Sequence, residues 1–257
     1  MQDPMDFSGK VVLVTGGGKG VGRGISQRFL ERGATVVICG RQVPDSLPAH
    51  AGRAALFLPC DLRDVEQAQQ LIDTIVERHG RLDVLVNNAG GAPNADAASA
   101  SPRFSESIIR LNLLAPLNLC QFANRVMQAQ AEGGAIINIC SVSATRPSPG
   151  TAAYGAAKAG LLNLTRSLAV EWAPKVRVNA VTAGLIRTEQ AELHYGDAAG
   201  IARVAATIPL QRLAEPEDIG DACLYLASPL ARYVSGADLG VHGGGERPAF
   251  LAAAQSH

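Results

Sequence analysis

The stretch Lys10-Val11-Val12-Leu13-Val14-Thr15-Gly16-Gly17-Gly18-Lys19-Gly20-Val21-Gly22 joins a short, β-branched apolar run directly to a cluster of glycines. Its spacing predicts a buried strand over 10–15, a tight turn, and the start of a helix. Glycines in such a turn let the backbone approach a pyrophosphate, whose charge the helix N-terminus then favours. A glycine cluster alone is equally a flexible turn, so its weight depends on the rest of the chain.

Two later runs repeat the pattern. Leu82-Asp83-Val84-Leu85-Val86 leads into Asn87-Asn88-Ala89-Gly90, and Ala135-Ile136-Ile137-Asn138-Ile139-Cys140 leads into Ser141. Each is an apolar strand ending in small or polar residues, where open parallel sheets bind ligands. Further strands are expected near 35–39, 54–59, 176–181 and 237–241. Val65, Ala68, Leu71, Ile72 and Ile75 recur at helical spacing, and Glu215-Pro216-Glu217-Asp218 opens a helix with proline in its first turn and acids at its positive end. This alternation predicts an α/β fold, a doubly wound parallel sheet of about seven strands with helices on both faces. A chain of 257 residues, 47% hydrophobic and 18% charged, can bury one large core, so residues 1–257 read as a single domain. The Ala/Ser/Pro-rich segment 91–103 is expected as a loop beside the strand ends, and 187–208 as a helical lid.

Composition narrows the partners. Lys plus Arg and Asp plus Glu both total 23, which argues against a general nucleic-acid or membrane-surface role. The cysteines at 39, 60, 120, 140 and 223 lack metal-ligand spacing and read as reduced, packed side chains, so no metal is expected. Met-Gln-Asp-Pro-Met-Asp carries no basic and apolar signal pattern, and no apolar stretch approaches membrane-span length. A soluble, cytoplasmic protein is the expectation.

Tyr154 and Lys158, in Tyr-Gly-Ala-Ala-Lys, lie on one helix face. A fixed cation favours phenolate, and bringing tyrosine from about 10 toward neutrality takes on the order of 4 kcal/mol, much of which one buried charge supplies. Taken alone, the pair reads as an ordinary amphipathic helix pair. Asn112 adds a second clue, since in Asn112-Leu113-Leu114-Ala115-Pro116 the proline has no N–H to offer the Asn112 carbonyl. A helix kinked there can hold water; a helix that merely bends or ends is the alternative.

Thr15-Gly16-x-x-x-Gly20-x-Gly22, Asn87-Asn88-Ala89-Gly90, Ser141 and Tyr154-x-x-x-Lys158, spread between about Gly9 and Gly245, together resemble the short-chain dehydrogenase/reductase family. Within it the chain is similar to the compact single-domain branch of 3-oxoacyl reductases and hydroxysteroid dehydrogenases. The resemblance implies a Rossmann-type sheet and hydride transfer between a nicotinamide cofactor and a ketone/secondary alcohol pair. It implies that Tyr154 protonates the carbonyl oxygen, or takes the alcohol proton in reverse. Lys158 then supports the phenolate and binds the nicotinamide ribose, Ser141 donates to the developing alkoxide, and Asn112 holds a water linked to Lys158. Ser143 competes with Ser141, and the thirteen-residue spacing to Tyr154 favours Ser141. The implied cofactor contacts are Gly16, Gly18, Lys19, Gly20, Val21 and Gly22 in the glycine loop, Arg41 after the second strand, and Asp61 with Leu62 at the adenine ring. Asn88, Ala89, Gly90, Tyr154 and Lys158 lie along the cofactor, and Gly184, Ile186 and Thr188 hold its carboxamide and phosphates.

Where NAD-preferring relatives carry a ribose-binding acid, this chain has Gly40 followed by Arg41. With Lys19 as a second cation, NADP(H) is favoured and NAD(H) is the alternative. Leu185, Ile186, Ala191 and Leu193 offer an apolar lid, so an acyl thioester, a steroid or another apolar ketone is the expected substrate. An NAD-dependent alcohol dehydrogenase working oxidatively and a catalytically silent dinucleotide-binding sensor are the competing readings. An enoyl reductase is disfavoured, because those relatives space tyrosine and lysine further apart. The resemblance also implies a homotetramer paired through helices near 104–130 and 152–173. Two departures stand out: Ala183 replaces the usual proline of a Pro-Gly turn, and His242 replaces the usual acid before the final glycines.

Overall fold

A computed structural model describes residues 3–254; the two residues before and the three after, which the single-domain reading includes, lie outside the described residues. The first β-α-β unit runs β1 (Val11–Thr15), α1 (Gly20–Glu31), β2 (Thr35–Gly40). A small hairpin of β3 (Ala49–His50) and β4 (Arg53–Ala54) precedes β5 (Leu56–Pro59), α2 (Val65–His79) and β6 (Val84–Asn87). Then come α3 (Pro102–Ile109), a π-helical turn at Arg110–Leu114, α4 (Ala115–Ala129), β7 (Gly134–Ser141), α5 (Ala152–Glu171) and β8 (Val176–Ala183). Two short helices, α6 (Ala191–Tyr195) and α7 (Ala198–Thr207), lead to α8 (Pro216–Ala227), β9 (Asp238–Val241) and α9 (Ala249–Ala254).

Seven strands form one parallel sheet in the order β5-β2-β1-β6-β7-β8-β9. Because alternate side chains point to opposite faces, each strand feeds two cores. Leu13, Val37 and Leu85 face a layer built on α2 and α4, which contributes Leu71, Ile75, Leu119 and Met127. Val12, Val14 and Ile38 face the α1 and α8 side, with Ile25, Phe29, Ile219 and Leu224. The helix ends agree with their sequences: Asp64 caps α2 by accepting the Glu66 and Gln67 N–H groups, and Asp218 accepts the Glu215 N–H at 2.8 Å ahead of α8. No helix among the described residues is long and apolar enough to cross a membrane.

Three expectations need adjustment. The strand expected over 54–59 is divided, since Ala54 belongs to the hairpin and the sheet strand starts at Leu56. The cause is Arg53, whose guanidinium donates to the Leu30 and Gly33 carbonyls and pins the hairpin over the end of α1. The loop expected over 91–103 ends earlier, because Ser101 caps α3 by accepting the Phe104 N–H at 3.2 Å. Val65, though in helical register, is exposed at the first turn of α2. The bend near Pro116 is a π-turn in which the Ala115 N–H reaches back to the Arg110 carbonyl.

Phe29 is fully buried and meets Phe7 edge-on, ring centroids 5.1 Å apart at 87°. Phe29→Ala should therefore lower stability by about 3–5 kcal/mol, read as a shifted urea midpoint at unchanged slope.

Candidate active site

The sheet reverses its winding between β1 and β6, so the loops leaving these strands diverge and open a crevice at their carboxyl ends. Thr15 forms its floor. The Thr15 hydroxyl donates to the Val86 carbonyl at 3.3 Å and accepts the Asn88 and Ala89 N–H groups at 2.9 Å each. The Asn88 carboxamide donates to the Thr15 carbonyl at 2.8 Å, so Asn88, Ala89 and Gly90 are held against the glycine loop.

The loop folds back tightly on the start of α1. A Cβ on Gly22 would stand 2.3 Å from the Gly16 carbonyl oxygen and 2.5 Å from Asn88 Nδ2, so no side chain fits. Ser26, buried on α1, places its hydroxyl 3.1 and 2.9 Å from the Gly17 and Gly22 carbonyls. Gly18 lies against Pro44, and Val21 is partly buried on the α1/α8 core. Lys19 precedes the helix with no side-chain cap, and no acid lies in the first turn of α1. The resulting bare backbone at a positive helix end has the shape and charge that suit a phosphate. The Gly20 N–H meets instead the carboxylate of Glu189, at 3.1 and 3.3 Å. Sequence reasoning missed Glu189, since nothing in the local pattern pairs it with a glycine loop so distant.

Lys19 before α1 and Arg41 after β2 are exposed, and neither enters an ion pair among the described residues. Asp61 takes a two-point ion pair from Arg63, at 2.9 and 2.5 Å, which holds its carboxyl below the usual range, with Arg41 adding a smaller pull. The Leu62 side chain turns into the α2 core, so only its backbone is left for a ligand.

Helix α5 carries Tyr154 and Lys158 one turn apart. Lys158 is 3% exposed, donates from Nζ to the Ile139 carbonyl at 2.8 Å, and sits 5.6 Å from the Tyr154 ring centre. The Ser141 hydroxyl accepts the Ser143 N–H at 3.2 Å and lies close enough to the Tyr154 phenol to favour its charged form. Ser143 is engaged elsewhere, accepting from the Ser148 hydroxyl at 3.1 Å, and Ser148 in turn lies 2.6 Å from the Thr151 hydroxyl. Asn112, fully buried in the π-turn, clamps Gly91 from both sides: Oδ1 accepts its N–H at 2.9 Å and Nδ2 donates to its carbonyl at 3.0 Å. A Cβ on Gly90 would stand 2.6 Å from Asn112 Oδ1 and 3.4 Å from Lys158 Nζ, so these three residues meet at one point.

Electrostatics here differ from the expectation that the cation draws the tyrosine toward neutrality. Burial pushes the Tyr154 phenol up, and the neighbouring Ser141 hydroxyl offsets only part of that. Burial also pushes the Lys158 ammonium down. Desolvation disfavours both charged forms at once, and Nζ is aimed at the Ile139 carbonyl.

A cavity of about 200 Å³ opens beside Tyr154, with Pro93, Phe104, Ile108 and Ala153 in its wall. The apolar lid expected from 185–193 is not assembled over it. Ala191 is buried, Leu193 is 85% exposed, Leu185 lines a separate cavity of about 350 Å³ with Ile208 and His242, and Ile186 packs on the α1/α8 core. Helix α6 is only five residues long, so it has one inward face, which Ala191 takes. The apolar wall comes from α3, where Phe104 and Ile108 stand four residues apart, a spacing legible in the sequence. Gly184, Ile186 and Thr188 leave β8 toward α6; the Gly184 N–H donates to the Val241 carbonyl at 3.0 Å, and Ile186 makes a bridge to Ala214. Ala183 extends β8 to the edge of the site, in register with Ser141 and Val241. His242 Nδ1 is buried with no hydrogen-bond partner among the described residues.

Because Gly90 touches both Asn112 and Lys158, Gly90→Ala should cost about 1–3 kcal/mol through forced displacement of buried groups. Thermal and urea unfolding of the variant beside the unmodified chain reads this directly.

Comparisons with known proteins agree with this fold. A family model described as enoyl-(acyl carrier protein) reductase matches residues 16–246. The chain is 36% identical to a 3alpha-hydroxysteroid dehydrogenase of Mediterraneibacter gnavus, over 93% of this chain and 98% of that one. It is 34% identical to a 3-oxoacyl-acyl-carrier-protein reductase of Thermotoga maritima, over 93% and 99%. A crystal structure of a short-chain type dehydrogenase/reductase from Mycobacterium marinum superposes with a TM-score of 0.88 at 32% identity, covering 96% of this chain and 99% of that one. The chain belongs to the short-chain dehydrogenase/reductase family and is an oxidoreductase acting on CH–OH groups.

Proposed function

We propose that this enzyme interconverts a ketone and a secondary alcohol with NADP(H), Tyr154 serving as general acid and base. The observation that carries the reading is Tyr154 in the wall of the 200 Å³ cavity, with the buried Lys158 ammonium 5.6 Å from its ring centre. The glycine loop fits a dinucleotide, because Gly16 and Gly22 close it tightly on Asn88 and Ala89 and leave the start of α1 without a side-chain cap. That cofactor supplies the hydride when bound. Gly18, Lys19, Val21, Asn88, Ala89, Gly90, Gly184, Ile186 and Thr188 line its path, and Asp61 and the Leu62 backbone stand at its adenine end.

Tyr154 keeps its proton at neutral pH, since burial raises its pKa, and so stands ready to donate to a carbonyl oxygen. Ser141 holds that oxygen through its hydroxyl as negative charge develops. Lys158 stabilises the phenolate left behind, and Asn112, fixed against Gly91, orients the groups beside Lys158. The Tyr-x-x-x-Lys spacing fits carbonyl reduction, not enoyl reduction. The wall of Pro93, Phe104 and Ile108 favours an apolar ketone, a steroid or an acyl thioester among them. NADP(H) is preferred over NAD(H) because Lys19 and Arg41 present two uncommitted cations and Gly40 stands where an acid would repel a 2′-phosphate.

The chain works as one domain with 187–208 as lid, and assembles as a homotetramer. Ala152, Ala156 and Ala159 on α5 are exposed small residues while Ala157 packs inward, and Leu114 and Val170 are exposed nearby. Such a face allows close pairing with a second copy.

Tyr154→Phe should lower turnover by at least about 100-fold with NADPH affinity nearly unchanged, because only the transferable proton is lost. Paired turnover and NADPH-fluorescence titrations separate the two effects, and near-normal turnover would reject the assigned acid. Arg41→Asp should reverse a preference for NADPH over NADH, where each ~1.4 kcal/mol changes the affinity ratio tenfold. Equal dissociation constants for both cofactors in the unmodified enzyme would contradict this. Size exclusion with light scattering should give four chains per particle, and a fully active monomer would refute the assembly.

A further inference from the structure

The segment leaving β8 carries an acid that does not serve its own surroundings. Glu189 reaches across 169 residues of sequence to place both carboxylate oxygens on the Gly20 N–H, at 3.1 and 3.3 Å. Gly20 opens the twelve-residue helix α1, which has no acid in its first turn and no side-chain cap from Lys19. The positive end of α1 is therefore met by a carboxylate borrowed from the lid. The contact is anchored on both sides. Thr188 Cγ2 and Glu189 Oε2 stand 3.6 and 3.8 Å from the point a Gly20 Cβ would occupy, and the next helix begins at the buried Ala191, whose N–H is bonded to the Thr188 carbonyl at 2.9 Å.

A carboxylate and a phosphate ester compete for the same kind of donor, a backbone N–H at a helix N-terminus. Resting on the dinucleotide reading, we propose that Glu189 is an internal counter-ligand for the cofactor's pyrophosphate. Its carboxylate holds the seat at Gly20, and a dinucleotide binds only by displacing it and the lid segment it tethers. Glu189 thereby sets cofactor affinity: the seat is free in only part of the population, and the apparent dissociation constant rises in proportion. The same carboxylate re-enters as the cofactor leaves, which favours release. Its length matters as well as its charge, because a side chain one methylene shorter keeps the anion but does not span to Gly20.

The test is calorimetric titration of NADPH, NADH and inorganic pyrophosphate into the full-length protein and its Glu189→Gln and Glu189→Asp variants. Displacing a helix-terminal carboxylate should tighten all three ligands by about three- to tenfold in both variants. Stopped-flow release of NADPH should slow correspondingly. Unchanged or weaker binding in Glu189→Gln, with the unmodified protein binding normally, overturns the proposal. Tightening in Glu189→Gln with Glu189→Asp left at the unmodified value also overturns it, since general charge repulsion then explains the result. Failure of all three proteins to bind any nicotinamide dinucleotide overturns the cofactor reading along with it.

Discussion

The Thr15 hydroxyl uses its full bonding capacity, donating once to Val86 and accepting twice from Asn88 and Ala89. Those bonds cross the seam where the sheet changes direction, and the crevice exists because the loops on either side part there. The ladder between β1 and β6 ends at Val14 and Val86, and the Thr15 hydroxyl carries the pairing past that point. With it, the glycine loop, the 88–91 turn and, through Asn112, the π-turn before α4 form a connected floor. A second buried chain runs beneath α5: Asn87 donates to Asn138 at 2.9 Å, Asn138 donates to Thr165 at 2.9 Å, and the Thr165 hydroxyl donates to the Leu161 carbonyl at 2.8 Å. It ties the ends of β6 and β7 to α5, which carries Tyr154 and Lys158.

Desolvation decides the chemistry of that helix. A tyrosine beside a lysine invites the view that the cation makes phenolate, yet burial of both groups opposes either charge. Burial thus favours the neutral phenol and makes the lysine charge costly. In the proposed reduction the proton sits on the acid before the substrate arrives. Cys140, next to Ser141, is similarly kept inert, its thiol pushed up to about 12 by burial, so the nucleophile nearest the site does not compete.

Much of this was legible in the sequence for specific physical reasons. Strands such as Val11–Thr15 and Ala135–Cys140 are β-branched runs buried on both faces, and such runs read clearly when glycine or small polar residues end them. The bend at Asn112 was legible because Pro116 lacks an N–H, although its form as a π-turn depends on how α3 and α4 pack. The hairpin at 49–54 left no pattern to read, since its strands are two residues each and owe their place to Arg53 bonding carbonyls of α1. The apolar lid expected from Leu185, Ile186, Ala191 and Leu193 does not assemble beside Tyr154, because an apolar count over 185–193 does not register that Leu193 faces solvent. Glu189 was invisible for a deeper reason. Its partner is a backbone N–H, which leaves no mark in the residue pattern.

The proposed reaction requires hydride to reach a carbonyl carbon beside Tyr154. The most direct measurement uses NADPH dideuterated at C4 of the nicotinamide, incubated with the enzyme and a panel of apolar ketones, with the alcohols analysed by mass spectrometry. The account predicts a secondary alcohol carrying one deuterium on its carbinol carbon. Tight NADPH binding with no deuterated alcohol from any ketone, and no oxidation of the matching alcohols with NADP, would contradict it and mark the crevice as a binding site alone.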